Sequence, residues 1–349
     1  MKNNNIEVYE FTRENKVEVL DEFISDCDFI FHLAGVNRPK NEVEFQYGNT
    51  ELTKILLEKM SNNEKSIPIL FTSSIQVEKD NPYGISKKEC EQLILKYGKE
   101  HNVKTFIYRL PNVFGKWCRP NYNSVIATFC NNISRGLDIR VDDTDTVLNL
   151  VYIDDIVEEF INALNCNENR IGEYCKIPIS YEITLGKIEK LIRSFKESRE
   201  NLYIPNMNNQ FEKNLYSTYL SYLPNDEFKY KLKMNIDDRG SFTEFIKTLE
   251  RGQVSINISK PGIVKGNHWH HTKNEKFLVV KGKGNIQLRD INKDEIIEYH
   301  VNGENLEVID IPPGYTHNII NEGNEDMVTV MWANEIFNPE KPDTYYMPV

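Results

Sequence analysis

The 349-residue sequence has no C-x-x-C pair, no long apolar run and no basic surplus. Its six cysteines (Cys27, Cys90, Cys118, Cys130, Cys166 and Cys175) all fall before residue 176, which predicts reduced thiols in a reducing compartment and not a disulfide framework. No run of eighteen apolar residues occurs and the first residues carry no apolar signal core, so we expect a soluble cytoplasmic protein with no membrane partner. The formal net charge of -11 speaks against a broad nucleic-acid surface, which needs clustered Lys and Arg. A phosphate-bearing substrate would have to be held by a local group of basic residues. What remains is an ordinary globular composition, long enough for two cores.

The chain changes texture near residue 230. Up to about residue 190, buried-strand patterns at Cys27–Ala34, Ile67–Ser73 and Thr105–Arg109 alternate with helical spacing over Asn49–Met60 and Ser86–Tyr97. That alternation predicts a parallel sheet covered on both faces. Beyond Tyr230, short strand candidates recur about every ten residues between Gly, Pro, Asn and Asp (Gln253–Ser259, Lys276–Val280, Gly284–Arg289, Ile296–Val301, Leu306–Ile311, Met327–Trp332), which predicts an all-β barrel or sandwich. We therefore expect domains at 1–228 and 229–349. Between the two textures, Lys196–Lys229 holds the aromatic stretch LYSTYLSYL, a connector or a docking helix.

In GIVKGNHWHHTKNEKFLVVKG, His268 and His270 stand two apart, so a strand turns both to one face and Trp269 to the other. Glu275 follows, and PPGYTHNIIN adds His317 from a second strand. Three imidazoles and a carboxylate suit a divalent first-row transition metal. The spacing G-x5-H-x-H-x4-E-x6-G, with P-x-G-x2-H-x3-N from Pro312 to Asn321, resembles the cupin family throughout. His271 reads as a neighbour of the site or a surface residue. A metal in such a pocket can act as a Lewis acid on a carbonyl oxygen and make the adjacent C–H removable.

In YGISKKECEQLIL, Tyr83 and Lys87 share a helix face near its start, where an ammonium lowers a phenol's pKa. Such a tyrosine can exchange a proton as hydride moves at a neighbouring carbon. Thr72-Ser73-Ser74 offers a hydroxyl upstream. Together with HLAG (His32–Gly35), R-x-x-N-x-x-G (Arg109, Asn112, Gly115) and V-x-x-D-D, the set resembles the extended short-chain dehydrogenase/reductase family over roughly residues 6–190. The resemblance implies a Rossmann-like NAD(P)-binding fold with Ser74 orienting a carbonyl (Ser73 being the alternative), Tyr83 as acid and Lys87 on the nicotinamide ribose. His32, Leu33 and Ala34 would line the cofactor.

One element of that family is missing: the first strand with its G-x-x-G-x-x-G loop, whose amides hold a pyrophosphate. Ile6–Phe11 looks like the second strand, and the sheet's central strand would be absent, leaving edges unpaired. We expect about twenty-five further residues upstream, a strand, loop and helix start. Arg13 could meet a ribose 2′-phosphate and favour NADPH, or be simply solvated.

The order of modules, with HLAGVNRP, FGKWCRPNYNSVIATF and DDRGSFTEFIKT, resembles the CapF-type bifunctional enzymes of capsular-polysaccharide precursor synthesis. That resemblance implies a UDP-activated 2-acetamido-2,6-dideoxy-4-keto-hexose, epimerised at C3 by the cupin and reduced at C4 with NADPH on the way to UDP-N-acetyl-L-fucosamine. It also implies zinc and a homodimer. Lys116 and Arg119, with Asn112 and Asn123, are the candidates for the UDP moiety. Two other readings compete: a monofunctional cupin epimerase with an inactive first half, and a non-enzymatic metal- or sugar-nucleotide-binding protein.

Overall fold

The computed structural model describes residues 6–349. The chain divides into two compact units: Met1–Lys190 with Ser217–Tyr222, and Leu191–Tyr216 with Leu223–Val349. This differs from a single cut after residue 228, because Leu191–Tyr216 is tied to the second unit. There Ile204 N–H donates to the Lys247 carbonyl at 2.8 Å and Lys247 N–H to the Leu202 carbonyl at 2.9 Å.

In the first unit the strands are β1 (Ile30–His32), β2 (Ile69–Ser74), β3 (Thr105–Leu110), β4 (Asn112–Phe114), β5 (Val147–Tyr152), β6 (Arg170–Ile171), β7 (Tyr174–Cys175) and β8 (Tyr181–Thr184). The main sheet has the order β1-β2-β3-β7-β6, with β1, β2, β3 and β7 parallel. Parallel neighbours need crossovers, and the helices Leu52–Ser61 and Pro82–Glu100 supply them. Alternation sends Ile69, Phe71 and Ile107 to one face, against Leu56, Met60 and Ile94 of those helices. Leu70, Phe106 and Tyr108 go to the other, against Ala163 of the helix Ile153–Leu164. Both faces are thus covered, and each buried Leu, Ile or Phe contributes about 1.5–3 kcal/mol. A second sheet, β4-β5-β8, carries Asn112 beside the end of β3.

The expected strand at Ile6–Phe11 does not form: these residues pair with no strand. Their apolar groups are used against a helix instead. Tyr9 stacks on Phe23 of the helix Val19–Asp26 with ring centroids 5.2 Å apart and hydrogen bonds to Asp26, and Phe11 packs on the core. Among the described residues β1 has a strand neighbour on one side only.

The second unit is antiparallel: β9 (Met234–Asp237), β10 (Gly240–Thr248), β11 (Gly252–Ser259), β12 (Val264–Trp269), β13 (Glu275–Lys281), β14 (Lys283–Asp290), β15 (Ile296–Asn302), β16 (Val308–Ile311), β17 (Tyr315–Asn321), β18 (Met327–Ala333) and β19 (Tyr345–Tyr346). They form two sheets, β16-β13-β18-β11-β10-β9 and β15-β14-β17-β12-β19, the arrangement expected of a cupin barrel. Phe277, Val279, Ile286, Leu288 and Ile319 fill the apolar part of the interior. Residues 215–221 of the LYSTYLSYL stretch lie in the helix Gln210–Ser221, and Tyr222 and Leu223 follow it as a turn and a bend. All six cysteines are free, and no described helix is long and apolar enough to cross a membrane.

Candidate active sites

Asn81 caps the helix Pro82–Glu100, its side chain accepting from Gly84 N–H at 2.8 Å, and Pro82 occupies the first turn. Tyr83 therefore sits at the helix start with Lys87 one turn on. Gly84 lets the helix come close to the turn Ile75–Glu78: a Cβ there would lie 2.2 Å from the Gln76 carbonyl oxygen. That close approach brings Tyr83 and Ser74 to line the same cleft. The geometry also separates the two serines. Ser73 donates to Glu91, a buried carboxylate that also accepts from Arg109 Nε at 3.0 Å and Nη2 at 2.7 Å. Arg109, the first residue of R-x-x-N-x-x-G, thus closes a structural ion pair.

The expected lowering of the Tyr83 pKa is not what this site shows. Burial raises it, and the nearby Ser74 hydroxyl only partly opposes this. The Lys87 ammonium donates to the Thr72 carbonyl at 2.9 Å and lies 4.5 Å from the centroid of the Phe71 ring. Burial pushes Lys87 down to about 8, which neighbouring Cys90 and Glu91 oppose.

Asn49, which the sequence reading did not single out, holds this corner together. It lies in a π-helical turn, Gln46–Glu51, and is buried. Its Oδ1 accepts from Val36 N–H at 2.7 Å, and its Nδ2 donates to the Val36 carbonyl and the Ser86 hydroxyl. A Cβ on Gly35 would lie 3.0 Å from Lys87 Nζ and 3.1 Å from Asn49 Oδ1, so the glycine of HLAG permits this packing. A lone Asn in a helical pattern carries no motif; π-turns, which often mark functional sites, become visible only in coordinates.

Ser74, Tyr83 and Lys87 line a cleft of about 1640 Å³ together with Leu33, Asn112 and Asn123. Arg38 and Arg140, not anticipated, line it too. Five expected residues do not. Arg13 is exposed in a turn, and Ala34 is exposed just beyond β1. His32 turns inward: its Nε2 donates to Thr53 Oγ1 at 2.9 Å, since that hydroxyl gives its own proton to the Asn49 carbonyl. Burial pushes His32 down to about 3, and the Lys87 charge adds to this, so the ring is neutral. Lys116 pairs with Asp154, and Arg119 lies over the Tyr122 ring at 5.4 Å. The loop bearing these residues is held by Tyr222, whose hydroxyl donates to the Cys118 carbonyl at 2.6 Å.

In the second unit His268, His270, Glu275 and His317 converge, with one ligand atom of each within 4.8 Å of the others. The bulge between Gly266 and His268 sets His268 directly opposite His317, and Gly266 (φ +108) passes close to the His317 carbonyl. Glu275 Oε2 lies 3.2 Å from His317 Nε2 and 3.5 Å from His270 Nε2. Burial pushes Glu275 up, but the facing His270 and His317 outweigh it and hold the carboxylate low. Burial, then His317 and His270, push His268 down to about 4. His270 Nε2, Glu275 Oε2 and both His317 nitrogens are buried with no hydrogen-bond partner. Buried donors and acceptors are ordinarily paired, so this set fits a cation. His271 stays outside it, its ring 4.9 Å from Tyr345.

A Rossmann-like sheet with a Ser–Tyr–Lys cleft, followed by an antiparallel β domain with a cluster of three His and one Glu, defines a nicotinamide-dependent epimerase/reductase joined to a cupin. Residues 2–177 match the NAD dependent epimerase/dehydratase family, and residues 235–345 match the polysaccharide biosynthesis C-terminal domain. The chain is 55% identical to the capsular polysaccharide assembling protein CapF of Staphylococcus aureus, with a TM-score of 0.93 over 98% of this chain and 93% of that one. A CapF structure solved with the inhibitor 3-isopropenyl-tropolone gives 51% and 0.87, over 98% and 92%. The UDP-2-acetamido-2,6-beta-L-arabino-hexul-4-ose reductase of Pseudomonas aeruginosa is 45% identical over 97% of this chain and 91% of its own. The chain belongs to the CapF family, and it is an epimerase/reductase of polysaccharide biosynthesis.

Proposed function

We propose that the chain acts twice on a UDP-linked 2-acetamido-2,6-dideoxy-4-keto-hexose: it inverts C3 in the cupin, then reduces the C4 ketone with NADPH in the first unit. The product leads toward UDP-N-acetyl-L-fucosamine for capsule. The observation that carries this reading is the Ser74–Tyr83–Lys87 cleft and the His268–His270–Glu275–His317 cluster in one chain. The substrate named for the Pseudomonas relative, a UDP-linked hexul-4-ose, has the ketone both steps need.

At the cleft, Ser74 would hydrogen-bond the ketone oxygen while Tyr83 donates its phenolic proton to it. Lys87, one turn away, would stabilise the phenolate left behind. The nicotinamide, when bound, supplies the hydride. Leu33 and Ala34 after β1, Lys87 and the exposed Arg13 are the groups we assign to that cofactor, and His32 supports them from behind. Asn112 and Asn123 would meet the UDP moiety, with Lys116 and Arg119 on the same loop. At the second site His268, His270, Glu275 and His317 would hold zinc or another divalent metal, which supplies Lewis-acid activation of the C3 hydrogen beside the ketone. Tropolones carry adjacent carbonyl and hydroxyl oxygens, a chelating pair, so an inhibitor of that class in a CapF structure fits a metal-dependent step. We assign the reduction to 1–228 and the epimerisation to 229–349, in a cytoplasmic homodimer.

The test is to incubate the 4-keto sugar nucleotide in heavy water without NADPH and follow deuterium at C3 by mass spectrometry. NADPH is then added and its oxidation read at 340 nm. Exchange without NADPH followed by stoichiometric oxidation is the expected result. Absence of exchange removes the epimerase assignment, and absence of oxidation removes the reductase assignment.

A further inference from the structure

The stretch Asp343–Val349 lies against every histidine of the metal-ligand cluster or its next neighbour. The Asp343 carbonyl oxygen hydrogen-bonds His270 Nδ1, and the Asp343 carboxylate accepts from the backbone N–H groups of His271 (3.0 Å), Thr272 (2.8 Å) and Lys273 (2.9 Å) and from the Thr272 hydroxyl (3.0 Å). Those four bonds hold the carboxyl below the usual carboxylate range against the effect of burial. Beyond Asp343, β19 adds an edge to β12, with Tyr346 opposite His268 and Tyr345 opposite Trp269. Met347 N–H donates to the Asn267 carbonyl at 2.9 Å, the Thr316 hydroxyl donates to the Met347 carbonyl, and Arg289 Nη2 donates to the Pro348 carbonyl at 2.8 Å.

A carbonyl oxygen can only accept, so His270 Nδ1 must carry the ring proton and Nε2 must present its lone pair. Nε2 is the nitrogen that faces Glu275 and has no partner in the protein. The metal-binding tautomer of His270 is thus selected by a residue 73 positions away in sequence. Partners of this kind orient ligating histidines and raise their basicity.

We propose that Asp343–Val349 is a strap for the metal centre and that Asp343 is its positioning residue: its carboxylate fixes the turn after His270, and its carbonyl fixes that histidine's tautomer. This deepens the metal reading given above and rests on it. The experiment titrates zinc into the metal-stripped full chain against a chromophoric chelator, for wild type, Asp343→Ala, Asp343→Asn and His270→Ala. Cobalt absorption spectra are recorded in parallel, with thermal melting of each metal-free protein.

We expect Asp343→Ala to weaken zinc binding on the order of 10- to 100-fold and to alter the cobalt ligand-field bands. Asp343→Asn, which keeps one acceptor oxygen, should fall between it and wild type. Wild-type zinc affinity and cobalt bands in Asp343→Ala, whatever its melting temperature, would overturn the proposal, because a purely structural anchor changes only melting. Should the alanine variant not fold, the same criterion applies to Asp343→Asn. A wild type that takes up no zinc refutes the metal reading itself. A wild type that binds while His270→Ala does not, with Asp343→Ala unaffected, refutes only the strap.

Discussion

The two sites differ in how their buried polar groups are satisfied. In the reductase cleft the protein satisfies its own: Lys87 on the Thr72 carbonyl, Ser73 and Arg109 on Glu91, His32 on Thr53, Asn49 on Val36 and Ser86. In the cupin, His270 Nε2, Glu275 Oε2 and both nitrogens of His317 are buried with no hydrogen-bond partner, and one atom of each residue converges with His268. The first network is closed and needs no ligand to be stable. The second leaves buried groups unpaired, as the proposed cation site would require. The cleft should therefore lose stability when a member is removed, whereas the cupin cluster should lose ligand binding.

The largest effect should come from Tyr83→Phe, which removes the proton donor while leaving the metal ligands untouched. NADPH oxidation should fall about 10²–10⁴-fold, with C3 exchange at the wild-type rate. A comparable loss of both would break the separation of the sites. Next, Arg109→Met should destabilise the fold by roughly 3–5 kcal/mol, read by urea denaturation, because it strands the buried Glu91 carboxylate.

The cupin cluster should respond to its ligand instead. At a free zinc concentration of about 100 Kd, wild type should gain about 2.7 kcal/mol over its chelator-treated form. Glu275→Gln should abolish that gain while changing the metal-free protein by only about 1 kcal/mol. A metal-free protein destabilised as severely as Arg109→Met would show that the cluster is structural after all.

A pH effect follows at Lys87. Its folded pKa, about 8, lies below the ordinary lysine value because burial disfavours the ammonium. Between the two values the unfolded chain binds more protons, so this group's penalty on stability is present below pH 8 and is relieved as pH rises toward about 10.4. Activity should run the other way. Reductase turnover should decline as pH passes 8, because the Lys87 charge proposed to stabilise the Tyr83 phenolate is lost, and a rate–pH profile checks it. The smallest effect should be that of Tyr222→Phe, which frees the Cys118 carbonyl. About 1 kcal/mol, or roughly a fivefold rise in KM for the sugar nucleotide with kcat unchanged, is expected from steady-state kinetics.

The difference between the sites also decides what could be read from sequence. The four metal-ligand candidates were legible because strand alternation and two short motifs fix them locally. The same holds for Tyr83 and Lys87, one helical turn apart. Asn49 and Asp343 were not, since each acts across a long sequence gap through contacts that no spacing rule encodes. Lys116 and Arg119 looked like free cations, yet the fold gives one a carboxylate and the other a tyrosine ring. At Ile6–Phe11 the alternation was present, but a strand also needs a neighbour, and Tyr9 and Phe11 pack on a helix and core instead. The fold class was legible throughout, because its alternation of strand and helix and its closely spaced strands are local properties.

The most direct test of two independent chemistries compares Tyr83→Phe with Glu275→Gln for deuterium incorporation at C3 in heavy water without NADPH. The account predicts full incorporation in Tyr83→Phe and none in Glu275→Gln. Incorporation in Glu275→Gln at the wild-type rate, or its absence in a folded Tyr83→Phe, would contradict it.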